Sequence, residues 1–356
     1  MTPPNAERSP RIGTDIRHIE GTTLWGQGPE LLDAVAAQGL DGVNIRTLYE
    51  LSPTLDRGRL AEFASHADAL GLYVEMGIGR VNPFNTAELP AVRALGQGDY
   101  LAAMTRMVEI CADRGWHTLW TACGGFTFFP GIHTTDRYRT DADWSEQLRI
   151  TEAFLRKLAP VLRANGCRLA VETHEEITSH EVVRLVEAAG PDAVGICLDP
   201  GNLPLNGEDP MAGIRRVAPY VVSTQLRDVA LWPRVGEISR FLAPCGEGVL
   251  DWTEVLRLLL DTTPDLNLTI EGIGGTRAEL RVPCTDTAWL AGQPDLDPAE
   301  IAVLQQLATD YRKRAEAGTA PGLDLLELHS ETWRAAHDDF VYTSAAHLRA
   351  CVAALA

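Results

Sequence analysis

Lysine is almost absent from this chain. Of 31 basic residues only Lys157 and Lys313 are lysines, and both fall in helical patterns away from strand ends. That all but excludes a Schiff-base mechanism, because such an amine must sit in a pocket. Long apolar runs are missing too. No segment of about 18 or more apolar residues occurs, so no membrane-spanning helix is expected and no membrane partner. The cysteines lack CxxC spacing: Cys111, Cys123, Cys167, Cys197, Cys245, Cys284 and Cys351 are odd in number and scattered. They predict buried free thiols in a reducing compartment, hence a cytoplasmic protein, rather than a disulfide frame. Positive charge is scarce overall, and a net charge of −18 argues against nucleic acid as a partner, since that binding depends on cationic neutralisation of phosphates. Residues 1–10 contain no apolar run and many prolines and polar residues; they read as a disordered leader, not a signal peptide.

What is present, from Arg11 onward, is a regular alternation of short β-rich runs with longer amphipathic runs, punctuated by Gly, Pro, Asp and Asn. Strands are expected at 12–19, 42–48, 72–78, 117–123, 168–176, 193–198, 220–226 and 266–270. Helices are expected between them, among them 29–38, 57–70, 99–114, 143–166 and 252–260. Eight β-then-α units predict a (β/α)8 TIM barrel over 11–275, because parallel strands joined by crossover helices close naturally at eight. A doubly wound open sheet is the alternative, weakened by the lack of GxGxxG after the first strand. Residues 276–356 read as a C-terminal helical extension that packs on the barrel or on a partner.

In a barrel of this kind, reactive side chains sit at the C-terminal strand ends. The last ionisable or amide residue of strand five is Glu172, of strand six Asp199, of strand seven Gln225 and of strand eight Glu271. Four successive strands thus present an oxygen-rich donor at one level. Three carboxylates and an amide oxygen make a hard donor set that suits Mn²⁺ first and Mg²⁺ second. Two residues beyond Glu172 on the same strand, His174 is expected to share its face, by the period-two alternation of strands. Its ordinary pKa near working pH fits it for general base catalysis. Glu175, Glu176 and His180 are expected in a solvated turn, followed by a helix with Ser179 as N-cap and Glu181 and Glu187 exposed. Arg227 is expected beside Gln225, facing the interior and holding a substrate oxygen or a ligand carboxylate. With Asn202, Trp25, Phe128 and His133 it completes the candidate substrate contacts. Phe126, Phe129 and Trp232 add aromatic surface for a flat apolar group.

These motifs, namely Val171-Glu172-Thr173-His174, Cys197 to Asn202, Gln225 to Asp228, Gly246-Glu247-Gly248 with Asp251-Trp252, and Thr269-Ile270-Glu271, resemble those of the xylose-isomerase-like superfamily of sugar phosphate isomerases and epimerases. The resemblance spans roughly residues 11–275. It implies a metal-dependent TIM barrel with Glu172, Asp199, Gln225 and Glu271 as ligands, and Glu172, Glu271 and His174 as catalytic residues acting next to a sugar carbonyl. Gln225 departs from the histidine most members carry, and Asn202 stands where many epimerases carry His. His174, two residues past the ligand Glu172, is similar to the strand-five motif of the α subunits of bacterial C-glycoside deglycosidases. That likeness implies elimination across a C–C bond in 3-keto C-glycosides, and a small β subunit as partner. Ketose isomerases or 3-epimerases and dehydroshikimate- or inosose-type dehydratases share the first chemical step, while a non-catalytic scaffold subunit would hold no stoichiometric metal.

Overall fold

The barrel strands of this chain are buried on both faces, as expected where parallel strands are covered on either side, although several carry a buried polar residue. Ile12–Ile16 (IGTDI) and Val194–Leu198 (VGICL) are buried along their whole length. A computed structural model describes residues 10–16, 24–86, 90–125, 135–328 and 333–355. In chain order its strands are β1 (Ile12–Ile16), β2 (Gly42–Ile45), β3 (Tyr73–Gly77), β4 (Thr118–Thr121), β5 (Arg168–Glu172), β6 (Val194–Leu198), β7 (Val221–Thr224), β8 (Asp228–Pro233), β9 (Ile238–Ala243), β10 (Leu268–Ile270) and β11 (Leu280–Val282). Eight of them form one sheet in the order β10, β1, β2, β3, β4, β5, β6, β7. A parallel bridge from Leu226 to Ile270 joins its two edges. The sheet is therefore an α/β TIM barrel of eight parallel strands, with β10 as the eighth.

Around it the helices turn apolar stripes inward. Trp252, Val255, Leu256 and Leu259 of the helix Trp252–Thr262 are buried at helical spacing. The carboxylates of Asp56, Asp99 and Asp251 accept hydrogen bonds from the first-turn amides of the helices they precede. The helix after β1 begins at Leu24 and carries Pro29 inside it; Pro29 had read as its start. The helix after β5 is capped by Thr178, not Ser179, in a capping box with Glu181.

Two features were not legible from sequence. Strands β8 and β9 form an antiparallel hairpin directly after β7, and β11 joins them in a three-stranded sheet. The first strand of the hairpin ends in Pro233, which in a sequence reading demotes a strand. The segment after residue 275 is thus not helical throughout. Its long helices are Pro298–Glu316, lying on β8, and Trp333–Leu355, lying against the helix Trp252–Thr262 and reaching β1 and β10. All seven cysteines are buried and free. Among the described residues no helix is long and apolar enough to cross a membrane.

The barrel interior also holds buried polar pairs. Tyr73 and Thr269 share a hydrogen bond of 2.8 Å between their hydroxyls. Glu75 of β3 accepts from the Ser223 hydroxyl and from the Asn267 amide at 3.0 Å. Burial raises the Glu75 carboxyl to about 7, against the lowering effect of those two donors.

Candidate metal centre

Glu172 is the last residue of β5, and Asp199, Gln225 and Glu271 each follow directly on β6, β7 and β10. The ladder sets their common level: the Gln225 amide donates to Leu198 O at 2.8 Å, and the Glu271 amide to Leu226 O at 3.3 Å. Glu172, Asp199 and Glu271 each bring a carboxylate oxygen within 4.8 Å of the others, and all three are buried. Gln225 is buried at the strand end between Asp199 and Glu271.

Donor chemistry and hydrogen bonding fit a hard divalent cation. Glu172 Oε2 and both polar atoms of the Gln225 amide have no hydrogen-bond partner among the described residues. A buried polar group in that condition costs about 1–3 kcal/mol unless something else satisfies it. Burial pushes the Glu172 carboxyl up to about 7, and the Asp199 charge adds to that effect although His174 opposes it. Asp199 is likewise raised, chiefly by burial, against the pull of Arg227. Carboxylates gathered in this way resist ionising together, and a cation between them removes the conflict.

Arginines partly supply that charge. Arg227 Nη2 contacts Asp199 Oδ2 and lies 2.9 Å from Glu271 Oε2. Arg46, which the sequence reading missed, contacts Glu271 Oε1, and its Nε lies 3.8 Å from buried Asp15. Arg46 stands one residue past β2, so the strand-end rule that found Glu172 would have found it had it been applied to cations. Asn202 does not face outward from the ligand set: its amide donates to Asp199 Oδ2 at 2.8 Å. The Thr173 hydroxyl donates to Asp199 O at 2.9 Å and accepts from Asp199 N at 2.8 Å, locking β5 to β6.

The solvated turn expected at Glu175 and Glu176 is instead buried. The His174 ring lies between them, Nε2 2.8 Å from Glu175 Oε2 and Nδ1 against Glu176 Oε2. Burial opposes every charge here, and mutual attraction outweighs it. His174 is held well above the usual imidazole value by Glu175, Glu176 and Glu172, while both glutamates are held below the usual carboxylate range. The ordinary imidazole pKa expected for a free base is therefore shifted upward by the carboxylates that flank the ring. Glu176 also accepts from the Gly124 amide at 2.5 Å, anchoring the loop after β4. Glu181, expected exposed, is buried in an ion pair with Arg137 at 2.8 Å; Glu187 is exposed.

Asp228 explains why the Gly246–Gly248 turn and Trp252 travel together. Its carboxylate accepts from the amides of Val229, Gly246, Gly248 and Leu250 and from the Trp252 indole, at 2.8–3.2 Å. A Cβ at position 248 would lie 2.1 Å from Asp228 Oδ1, so the clamp requires Gly248. Trp232, expected at the mouth, is half-buried on β8 and packs with Phe241, Tyr311 and Leu326. Phe126, Phe128, Phe129 and His133 lie outside the described residues, as does the side chain of Trp25 on the first helix.

A family profile described as Xylose isomerase-like TIM barrel matches residues 32–291. The 3-oxo-isoapionate decarboxylase of Pectobacterium atrosepticum is 30% identical over 121 residues, covering 33% of this chain and 44% of that protein. The chain spans less than half the length of the curated relatives it matches. A Xylose isomerase-like TIM barrel protein from Mycobacterium smegmatis, solved in complex with magnesium, superposes with a TM-score of 0.56 at 17% identity, covering 85% of this chain and 98% of that one. The 3-keto-D-glucoside 4-epimerase of E. coli superposes with a TM-score of 0.52 at 14% identity, covering 83% and 99%. At such identities the likeness concerns the fold. The profile spans most of the chain, and with it the chain belongs to the xylose isomerase-like TIM barrel family.

Proposed function

We propose that this protein is a divalent-metal-dependent enzyme that removes a proton next to the carbonyl of a 3-oxo sugar, and that with a 3-keto C-glycoside the reaction proceeds to C–C bond cleavage. The observation that carries the reading is the convergence of three buried carboxylates from three strand ends, beside a buried Gln225 amide with no hydrogen-bond partner among the described residues. A divalent cation held by Glu172, Asp199, Gln225 and Glu271, manganese or magnesium, would polarise the substrate carbonyl and offset the charge that proton removal places on it. Two relatives are named for 3-oxo sugars, a decarboxylase and a 4-epimerase, which supports that substrate class.

In a 3-keto C-glycoside the C2 hydrogen lies between the carbonyl and the anomeric carbon. Its removal lets the C2–H pair become the C1–C2 double bond, while the aglycone leaves with the C1–C pair and takes up a proton. With one carboxylate oxygen of Glu172 given to the cation, its other oxygen is the acceptor for the C2 proton. His174, whose ring lies between Glu175 and Glu176 and whose hold on a proton they strengthen, is the donor to the departing carbon. Glu271, gripped by Arg46 and Arg227, completes the catalytic set. Asn202 and Arg227 hold Asp199 in place, and Arg227 is left to meet a substrate oxygen through its remaining donors.

The test is incubation of the manganese-loaded protein, with and without a small partner subunit, against 3-keto C-glycosides, free ketoses and dehydroshikimate, with products followed by mass spectrometry. Release of aglycone is expected. Epimerised sugar would move the outcome to reprotonation on the other face, and dehydration would move it to the dehydratases. Absence of both stoichiometric metal and turnover would leave a scaffold. His174→Ala is expected to retain metal and lose aglycone release; if it turns over near-normally, His174 has no catalytic part.

A further inference from the structure

Beyond the carboxylates, one buried cation that the chemistry above does not use stands apart from the others by its unmet donors. Arg240, on β9, has no exposed surface. Its Nη1 makes a long hydrogen bond to Ala278 O at 3.4 Å, and its Nη2 lies 3.7 Å from Glu175 Oε1, beyond hydrogen-bond reach. Nε and Nη2, which form one edge of the guanidinium fork, have no hydrogen-bond acceptor among the described residues. Arg227 Nε is in the same condition. Arg227 contacts Asp199 at the end of β6, and Arg240 approaches Glu175 just past the end of the neighbouring β5, so the two arginines face one neighbourhood. The extra sheet, continuing directly from β7, thus brings a cation toward a site that the barrel strands alone would leave acidic.

A fully buried guanidinium is stable only when paired and hydrogen-bonded, and leaving its donors unmet costs several kcal/mol. Glu175 offsets the charge but does not meet the donors, because its Oε1 stops 3.7 Å short of Nη2 while its Oε2 is turned to His174. The unmet Nε/Nη2 edge has the spacing of a bidentate carboxylate partner. A singly charged group also suits a neighbourhood already holding Glu175 and Asp199 better than a phosphate dianion, which would add a second negative charge there.

We infer that Arg240, with Arg227, forms a carboxylate subsite beside the metal centre, so that the substrate is an oxo-sugar acid rather than a neutral oxo-sugar. The inference rests on the oxo-sugar reading and narrows it. It concerns binding alone and adds no chemical step.

The experiment uses the full-length, manganese-loaded protein and calorimetric titration with 5-keto-D-gluconate, its neutral counterpart L-sorbose, and inorganic phosphate. The acid is expected to bind at least tenfold more tightly than L-sorbose, and Arg240→Gln to bring the acid down to the level of the neutral sugar. Equal binding of acid and neutral sugar by the wild type overturns the inference, as does binding of neither. Tighter binding of phosphate than of the acid also overturns it. If Arg240→Gln weakens both sugars alike, Arg240 is a structural partner of Glu175 and the subsite is wrong. Should that variant not fold, the wild-type preference and Arg240→Lys, which keeps charge but loses the fork, decide it: Arg240→Lys is expected to lose most of the preference, and full retention counts against the forked contact. Manganese stoichiometry, read in parallel, separates the two hypotheses, because its loss counts against the metal enzyme itself.

Discussion

Two sets of buried carboxylates stand near each other in this fold under opposite conditions. Asp228 is saturated by five donors that tie β8 to the following turn and helix. Glu172 keeps one oxygen without any hydrogen-bond partner among the described residues, in a cluster with Asp199 and Glu271. Burial raises both Glu172 and Asp228, so desolvation does not distinguish them. Partners do. A buried carboxylate that the chain satisfies holds the chain together, and one left open is kept for something that arrives from outside.

The contrast can be broken most sharply at Glu172. Glu172→Gln is expected to lose bound metal and to lower turnover by about a thousandfold, roughly 4 kcal/mol in the barrier, while the metal-free fold melts no lower than wild type because one crowded charge is gone. Metal analysis with kinetics and thermal melting checks both halves; a large drop in metal-free stability would put Glu172 in Asp228's class. The converse is expected of Asp228→Ala, which strands several buried donors and should cost about 3–4 kcal/mol in urea unfolding. A cost below about 1 kcal/mol would dissolve the distinction.

Chelation supplies an effect of intermediate size. Removing a cation present at a hundred times its Kd should cost about 2.7 kcal/mol, and Glu172→Gln should show no such loss; equal sensitivity in both proteins would place the metal elsewhere. The smallest expected effect lies at Glu75, satisfied by Ser223 and Asn267 yet raised to about 7 from the ordinary 4.5. Below the unfolded pKa both states are protonated and the fold keeps its full stability. As pH rises from about 4.5 through 7 the unfolded chain releases its proton first, and stability falls by about 1–3 kcal/mol. Glu75→Gln should flatten that slope, with the Ser223 hydroxyl turning to accept; an unchanged slope would assign it to another group.

Much of this is legible in the sequence itself. The eight β-then-α units announce a barrel because each strand is an apolar run closed by a turn, and the ligand candidates stand out because a carboxylate or amide ends four such runs. What escaped was whatever depends on neighbours distant in sequence. Glu175 and Glu176 look like a solvated turn until His174, Gly124 and Arg240 are placed around them. Asp228 reads as one more acidic residue until Trp252 and the glycine turn fold back onto it. Arg240 lies in a segment whose strand character is masked by Pro233, and nothing local announces that it is fully buried.

The three-stranded sheet also sets an order of events. Its last strand, β11, pairs with β9 across the intervening β10, so the sheet that carries Arg240 cannot close until the chain has been synthesised past Val282. A nascent chain whose first seven barrel strands have left the ribosome still lacks the strand that pairs alongside Arg240. The site that would admit substrate is thus finished last, by residues that lie beyond the barrel's final strand.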